Sequence, residues 1–514
     1  MSKTSSLPLF DALDQKGSGY ITQGQILKTL TDAGIQLDDP RITGLLSGMQ
    51  NLKDSEKIRA KDFSSFGTAN LSLLDRVVKR ELVIPDFSNF AEKIKQIFEQ
   101  TEKNESGAVA SYIPQLARVN PEQFAVSICT IDGQRLSLGN SDAIFGFQST
   151  CKPFLYCAAM EQHGEKKVHE HVGREPSGVS FNELTLNKAN RPHNPMINAG
   201  AIMSSSLIWS ELPMADRFEN VVNMMSSLAG GSRPGFDNAI YHSEKDTADR
   251  NFALAHYMRE VGAFPEDTDI HSTLEMYFAC CSMETTSEVM ATTATTLANG
   301  GVCVDSGERV YTDDTVKNCL SLMSSCGMYD YSGEFAFRVG LPAKSGVSGA
   351  VMVVIPNLMG ITVWSPRLDA MGNSVRGVEF IEHLTENFNF HNFDSLVKST
   401  KCDPRKRNNG LESNSTFLAI DAASRGDLAE LRRLVSFSAD LGSSDYDGRT
   451  PLHLAAAEGQ EAAVEYLLRK GVEPAPKDRW GFTPMDDAKR HKKQAVINQF
   501  ESVQVKAKNK KSAA

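Results

Sequence analysis

The sequence predicts an α+β protein in three parts: an all-α amino-terminal module, a central domain with an antiparallel sheet covered by helices, and a carboxy-terminal helical repeat array. Three observations carry this reading. Alternating apolar runs flank Asp132 and Gly133 and mark a β-hairpin; a second alternating pair stands far downstream, at residues 350–364; and a segment near the end recurs after 33 positions. A chain of 514 residues exceeds one core. Domains usually hold about 100 to 200 residues, so about three are expected.

Residues 1–95 show helical periodicity with short polar breaks. From Asp14 to Gln25 they resemble an EF-hand loop, with the turn glycine (Gly19) and the apolar residue two places later (Ile21) in position. Calcium loops also need oxygen ligands at their third and twelfth positions. Those positions hold Lys16 and Gln25. A cation and an uncharged amide are poor substitutes for carboxylates, so the module reads as helical packing without calcium.

Residues 105–400 form the central domain. Residues 124–131 and 134–138 make the first hairpin, and residues 350–355 and 358–364 the second, with mainly helical sequence between. The sheet therefore draws strands from both ends of the domain, and helices cover it. Residues 401–415 are polar and aperiodic, a linker. In residues 416–505 the segment starting at Gly426 recurs at Gly459, and T-P-L-H-L-A at 450–455 matches the ankyrin signature, repeated weakly at 483–488. An ankyrin array is expected, either as a terminal cap or as a surface for a protein partner. Residues 506–514 read as a disordered basic tail.

Composition narrows the function. Hydrophobic residues make up 41% and charged residues 23%, a globular profile. The most apolar stretch is broken by Pro356, Asn357 and Gly360, short of the roughly 18 apolar residues a spanning helix needs. No membrane is expected as partner. A net charge of -10 opposes binding to phosphate backbones, so no nucleic acid is expected either. Nine cysteines without a C-x-x-C pair read as reduced core thiols. With no secretion signal at its start, the chain is expected inside the cell, in the cytoplasm, or in the mitochondrial matrix if a presequence was removed. His169 and His171 flank Glu170 but lack metal-ligand spacing, so no metal and no cofactor are expected.

The chemistry centres on Ser149 and Lys152, an S-x-x-K tetrad of the sort that acylates in penicillin-binding proteins and class A β-lactamases. At a helix start the two lie on one face, so the amine can take the hydroxyl proton if burial lowers its pKa. A second tetrad, at Ser395 and Lys398, merely precedes the linker. Ser149 instead follows an apolar stretch and precedes Pro153, which suits a first helical turn. Lys344-Ser345-Gly346 stands just before the second hairpin, as K-T-G does in such acyltransferases.

Several long motifs in order resemble the glutaminase family: YIPQLA at 112–117, the Ser149 tetrad, GREPSG at 173–178, PHNPMINAGA at 192–201, DRNFA at 249–253, CGMY at 326–329 and GLPAKSG at 340–346. The flanking EF-hand-like module and ankyrin repeats are similar to those of the animal kidney-type and liver-type enzymes. The resemblance implies a serine β-lactamase-like or penicillin-binding-protein-like catalytic domain that hydrolyses L-glutamine to L-glutamate and ammonia. It implies Ser149 as nucleophile, Lys152 as base, Tyr329 in proton transfer, and backbone donors at Ser149 and Val347 as an oxyanion hole. Tyr112, Asn198, Glu244, Asn251 and Tyr277 match the substrate contacts, and Glu244 suits an α-ammonium. A homotetramer, a gating loop at residues 178–188 and activation by inorganic phosphate follow from the same resemblance, the loop differing somewhat in its centre. Two other readings stand beside it: a β-lactam-hydrolysing or peptide acyltransferase on the same fold, and a catalytically silent ankyrin scaffold.

Overall fold

The structure is a computed structural model describing residues 7–14, 18–50, 57–178, 183–396, 401–406, 411–436 and 440–511. The chain forms two compact units, Met1–Lys406 and Arg407–Ala514.

In the first unit, residues 7–78 fold as short helices around Ile21, Ile26, Leu30, Leu45, Phe63 and Leu74, all buried. Two short strands, β1 (Tyr20–Ile21) and β2 (Ile58–Arg59), pair antiparallel with Ile21 opposite Ile58. Gln25 is occupied as a helix cap. Its side-chain oxygen accepts the Thr22 N–H at 2.7 Å, and Thr22 Oγ1 accepts the Gln25 N–H at 3.2 Å, a reciprocal capping box at the start of helix Gln23–Asp32. Lys16 lies outside the described residues.

Among the described residues eight further strands belong to the central region: β3 (Ala125–Thr130), β4 (Arg135–Gly139), β5 (Phe145–Gly146), β6 (Gly235–Phe236), β7 (Met283–Thr285), β8 (Ala343–Ser345), β9 (Ala350–Ile355) and β10 (Met359–Trp364). Five form an antiparallel sheet in the order β4-β3-β10-β9-β8. Both expected hairpins are present, and β10 joins them, with Ile361 opposite Ile128. Strands β3, β9 and β10 are buried along their whole length, which explains their near-continuous apolar sequence. On one face lies helix Ser287–Ala298. Gly360 permits its approach: a Cβ there would stand 2.4 Å from the Thr295 nitrogen. The opposite face is covered by helices Phe87–Thr101 and Val375–Asn387. Thus residue 95, the expected end of the amino-terminal module, falls inside a helix whose Phe90, Ile94, Ile97 and Phe98 complete the sheet's core.

The hairpin tip between β3 and β4 is the joint with the module. Asp132 accepts the Val83 N–H and pairs with Arg76, both at 2.5 Å, Gln134 donates to the Ala33 carbonyl at 2.9 Å, and the Arg135 N–H reaches the Gly34 carbonyl at 2.7 Å. A helical lobe inserted between β5 and β8 carries helices Lys152–Val168, Asn198–Leu207, Asn238–Asp246, Asp249–Glu260 and Ile270–Cys281. A small sheet, β5-β7-β6, ties it to the nucleophile turn.

Among the described residues the second unit stacks six helices, from Leu411–Arg425 to Gln494–Lys511, around Leu431, Leu452, Ala455, Val464 and Leu467. His453 shows why the signature has its histidine: Nδ1 caps Thr450 at 3.0 Å while Nε2 meets the Phe482 carbonyl of the following repeat at 3.2 Å. In the weaker copy Asp486 takes over the cap on Thr483, at 2.7 Å. The array's helices start at Leu411, inside the expected linker, and the last one reaches Lys511, so the expected basic tail is helical through that residue.

Candidate active site

The nucleophile turn is held from both sides. Phe145 stacks on Trp364 with ring centroids 5.0 Å apart, and the Phe147 N–H bonds the Met283 carbonyl at 2.8 Å. The chain then turns sharply through Gln148, a non-glycine residue at φ +47°, into the 3-10 turn Gln148–Cys151 and helix Lys152–Val168, with Pro153 in its first turn. Such a backbone costs about 1–3 kcal/mol and persists where the surroundings over-determine it.

Lys152 is fully buried, and its Nζ lies 2.9 Å from Ser149 Oγ and 2.8 Å from Asn198 Oδ1. Burial holds the amine below its ordinary pKa, toward the neutral form a base requires. Asn198, at the start of helix Asn198–Leu207, is a hub. Its Oδ1 also accepts from the Tyr277 hydroxyl, and its amide donates to Asn251 Oδ1, each at 3.3 Å.

Glu244 lies nearby on helix Asn238–Asp246 and is buried. Desolvation raises its pKa, opposed by the Tyr112 hydroxyl, which donates to the carboxylate at 2.5 Å. The Tyr112 hydroxyl is also 3.0 Å from Gln148 Oε1, which links Glu244 to the residue preceding the nucleophile. Tyr112 itself is half-exposed.

The third wall comes from Tyr329 and the strand after it. Tyr329 also has a left-handed backbone, at φ +53°, and its buried hydroxyl interacts with Ser149. Lys344 on β8 is fully buried, with its Nζ 4.6 Å from the centre of the Tyr329 ring and donating to the Gly327 and Ser345 carbonyls at 3.1 and 2.7 Å. Burial first, and the neighbouring Lys152 second, lower its pKa strongly. Beyond it, Gly346 lies against the nucleophile turn: a Cβ there would meet Thr150 Cγ2 at 3.1 Å and the Phe147 carbonyl at 3.2 Å. That contact sets the next residue, Val347, whose side chain packs with Ile113, Leu116 and Ile240.

All nine residues singled out from the sequence therefore meet in one region. Gln148 was not among them, and its place before the tetrad serine is the only signal that the sequence offers. The second tetrad does not join them: Ser395 lies in the turn Asp394–Leu396, and Lys398 is outside the described residues. So are residues 179–182 of the expected gating loop. Among the described residues no group of histidine, cysteine, aspartate and glutamate could hold a metal, and no helix is long and apolar enough to cross a membrane.

A serine hydroxyl beside an amine whose pKa is lowered by burial, with a carboxylate for a cation and amides and phenols for a carboxylate, can acylate on an amino acid's side chain. Comparisons with known proteins agree with this chemistry. The family model Glutaminase matches residues 107–393, ankyrin repeats match 383–496 and an EF-hand domain matches 6–85. The chain is 43% identical over 509 residues to putative glutaminase 3 of Caenorhabditis elegans, covering 96% of this chain and 86% of that protein. It is 43% identical over 479 residues to the mitochondrial liver isoform glutaminase of Mus musculus, covering 92% and 80%. A solved structure of a probable glutaminase superposes with a TM-score of 0.56 at 33% identity, covering 60% of this chain and 98% of that one.

Proposed function

The chain belongs to the glutaminase family and hydrolyses L-glutamine to L-glutamate and ammonia, and from that premise we propose that it does so through a γ-glutamyl ester on Ser149. The observation that carries this reading is the 2.9 Å approach of a fully buried lysine amine to the serine hydroxyl. Lys152 takes the Ser149 proton as Oγ attacks the side-chain amide carbon. The N–H groups of Ser149 and Val347 receive the developing oxyanion, an interaction whose removal costs other enzymes roughly a hundredfold to a thousandfold. The proton taken by Lys152 returns through the Tyr329 hydroxyl, which interacts with Ser149, to the departing nitrogen, leaving the amine neutral and the phenol protonated. Water then attacks the ester with the same base. Glu244 holds the substrate ammonium, and Asn198, Asn251, Tyr277 and Tyr112 bind around its carboxylate and backbone. The lactam-hydrolase and silent-scaffold readings give way to family membership. Rapid quenching with labelled glutamine, followed by peptide mass analysis, tests the mechanism. A γ-glutamyl adduct on the peptide containing Ser149 is expected; normal turnover by Ser149→Ala would exclude the pathway.

No metal or organic cofactor enters this mechanism. The resemblance to the animal enzymes supports a homotetramer in which residues 178–188 respond to phosphate, and sedimentation with and without phosphate tests it. The ankyrin unit provides a surface for a protein partner. The name of the mouse relative favours the mitochondrial matrix over the cytoplasm.

A further inference from the structure

A cavity of about 490 Å³ meets the site only at Tyr329 and at Ile197, the residue before Asn198. Tyr112, Glu244, Asn251 and Tyr277 do not line it. On its wall Tyr329 is buried, and its hydroxyl, closed to solvent, interacts with Ser149 behind that wall; Asp330 and Gly333, also on the wall, are exposed.

Its wall chemistry selects what can pass. No lysine or arginine lines it among the described residues, and its Asn194 and Ser332 side chains are engaged within the protein. Asn194 donates to the Glu175 carbonyl and accepts the Met196 N–H, both at 2.9 Å, and the Ser332 hydroxyl donates to the Tyr329 carbonyl at 2.7 Å. A wall without a cation and with a carboxylate at its mouth disfavours the glutamate product and accepts a small neutral or cationic molecule. The leaving group of the reaction is such a molecule. If Tyr329 protonates it, it departs on the side of Tyr329, whose side chain is the wall between Ser149 and the cavity.

We propose that this cavity is the outlet for ammonia, separate from the glutamine-binding side at Tyr112 and Glu244, with Asp330 drawing the cation to solvent. The proposal rests on the Ser149 ester pathway. Gly333 offers a clean test, since its Cβ would meet nothing within 4 Å and its backbone is not left-handed. A large side chain at this lining position narrows the outlet and replaces no catalytic group. Gly333→Phe is expected to lower kcat roughly tenfold, because release then limits turnover, while rapid-quench acylation of Ser149 keeps the wild-type rate. Gly333→Ala should keep the wild-type kcat. An unchanged kcat in Gly333→Phe, or acylation slowed in step with kcat, overturns the outlet. Absence of any Ser149 adduct in the wild-type protein instead overturns the ester pathway beneath it, so the two failures are distinguishable.

Discussion

Replacing Ser149 and Lys152 singly and together measures whether they act as one unit. The two groups lie 2.9 Å apart, and no second base is hydrogen-bonded to Ser149 Oγ among the described contacts other than through Tyr329. Loss of a nucleophile or its base in a coupled site costs about four orders of magnitude or more, equivalent to about 5.4 kcal/mol at 1.36 kcal/mol per tenfold. Independent contributions would make the double variant roughly eight orders slower. A shared step predicts that Ser149→Ala, Lys152→Met and the double variant all fall to nearly the same residual rate. A coupled assay for glutamate formed from glutamine reads this directly. Folding is a separate readout. Methionine fills much of the lysine volume and removes a buried amine, so Lys152→Met should melt at or above the wild-type temperature. A double variant at least a hundredfold slower than either single one would refute the shared step.

Activity should have an acid limb set by Lys152, rising with pH through its lowered folded pKa, and kcat/KM against pH checks it. The stability sign is opposite to that of a salt-bridged lysine. Below the ordinary value of 10.5 the unfolded chain binds a proton that the buried amine resists, so the penalty grows as pH falls from 10.5 to the folded pKa; Lys152→Met should remove that slope in calorimetric melts. Glu244→Gln should raise KM for glutamine at least tenfold, since a buried carboxylate facing an ammonium contributes about 1.5–3 kcal/mol, and retained KM would exclude its role. Calorimetric titration of the full chain should show no micromolar calcium binding, because Gln25 spends its side-chain oxygen on the Thr22 cap.

Much of this was legible because the signals were local. The Asp132-Gly133 turn and the alternating runs fixed both hairpins, with strand ends within about one residue of expectation. The tetrad, the K-S-G turn and the 33-residue period depend on short spacings that chain geometry preserves. What stayed hidden depended on tertiary partners. Strand β5 is only Phe145–Gly146, too short to show a period, yet its pairing with β7 aims Ser149. Helix Phe87–Thr101 has the amphipathic pattern of any surface helix, and nothing in that pattern says that its apolar face meets β4 and helix Val375–Asn387. The left-handed backbone at Gln148 has no compositional mark, since glutamine does not favour it.

The site opposes the fold's own preferences in four places: two fully buried amines, at Lys152 and Lys344, and two left-handed non-glycine residues, at Gln148 and Tyr329. Each is destabilising alone, and each lies where two cores meet. Gln148 joins β5, packed through Phe145 on Trp364, to the helix beginning at Lys152. Tyr329 joins the buried end of helix Asp313–Cys326 to helix Ser332–Arg338, which packs Phe335 under the sheet. The Lys344 amine ties these supports together, reaching the carbonyl of Gly327 just before Tyr329 and lying over the tyrosine ring. Burial that lowers the pKa of both amines would be useless for catalysis if Tyr329 were free to swing away. The same strand that buries Lys344 also presses Gly346 against the nucleophile turn. Pre-organisation of the phenol and the Val347 N–H is therefore one mechanical problem, and the short strand β8 solves it by carrying Lys344 to the Tyr329 ring and setting Gly346 against the nucleophile turn.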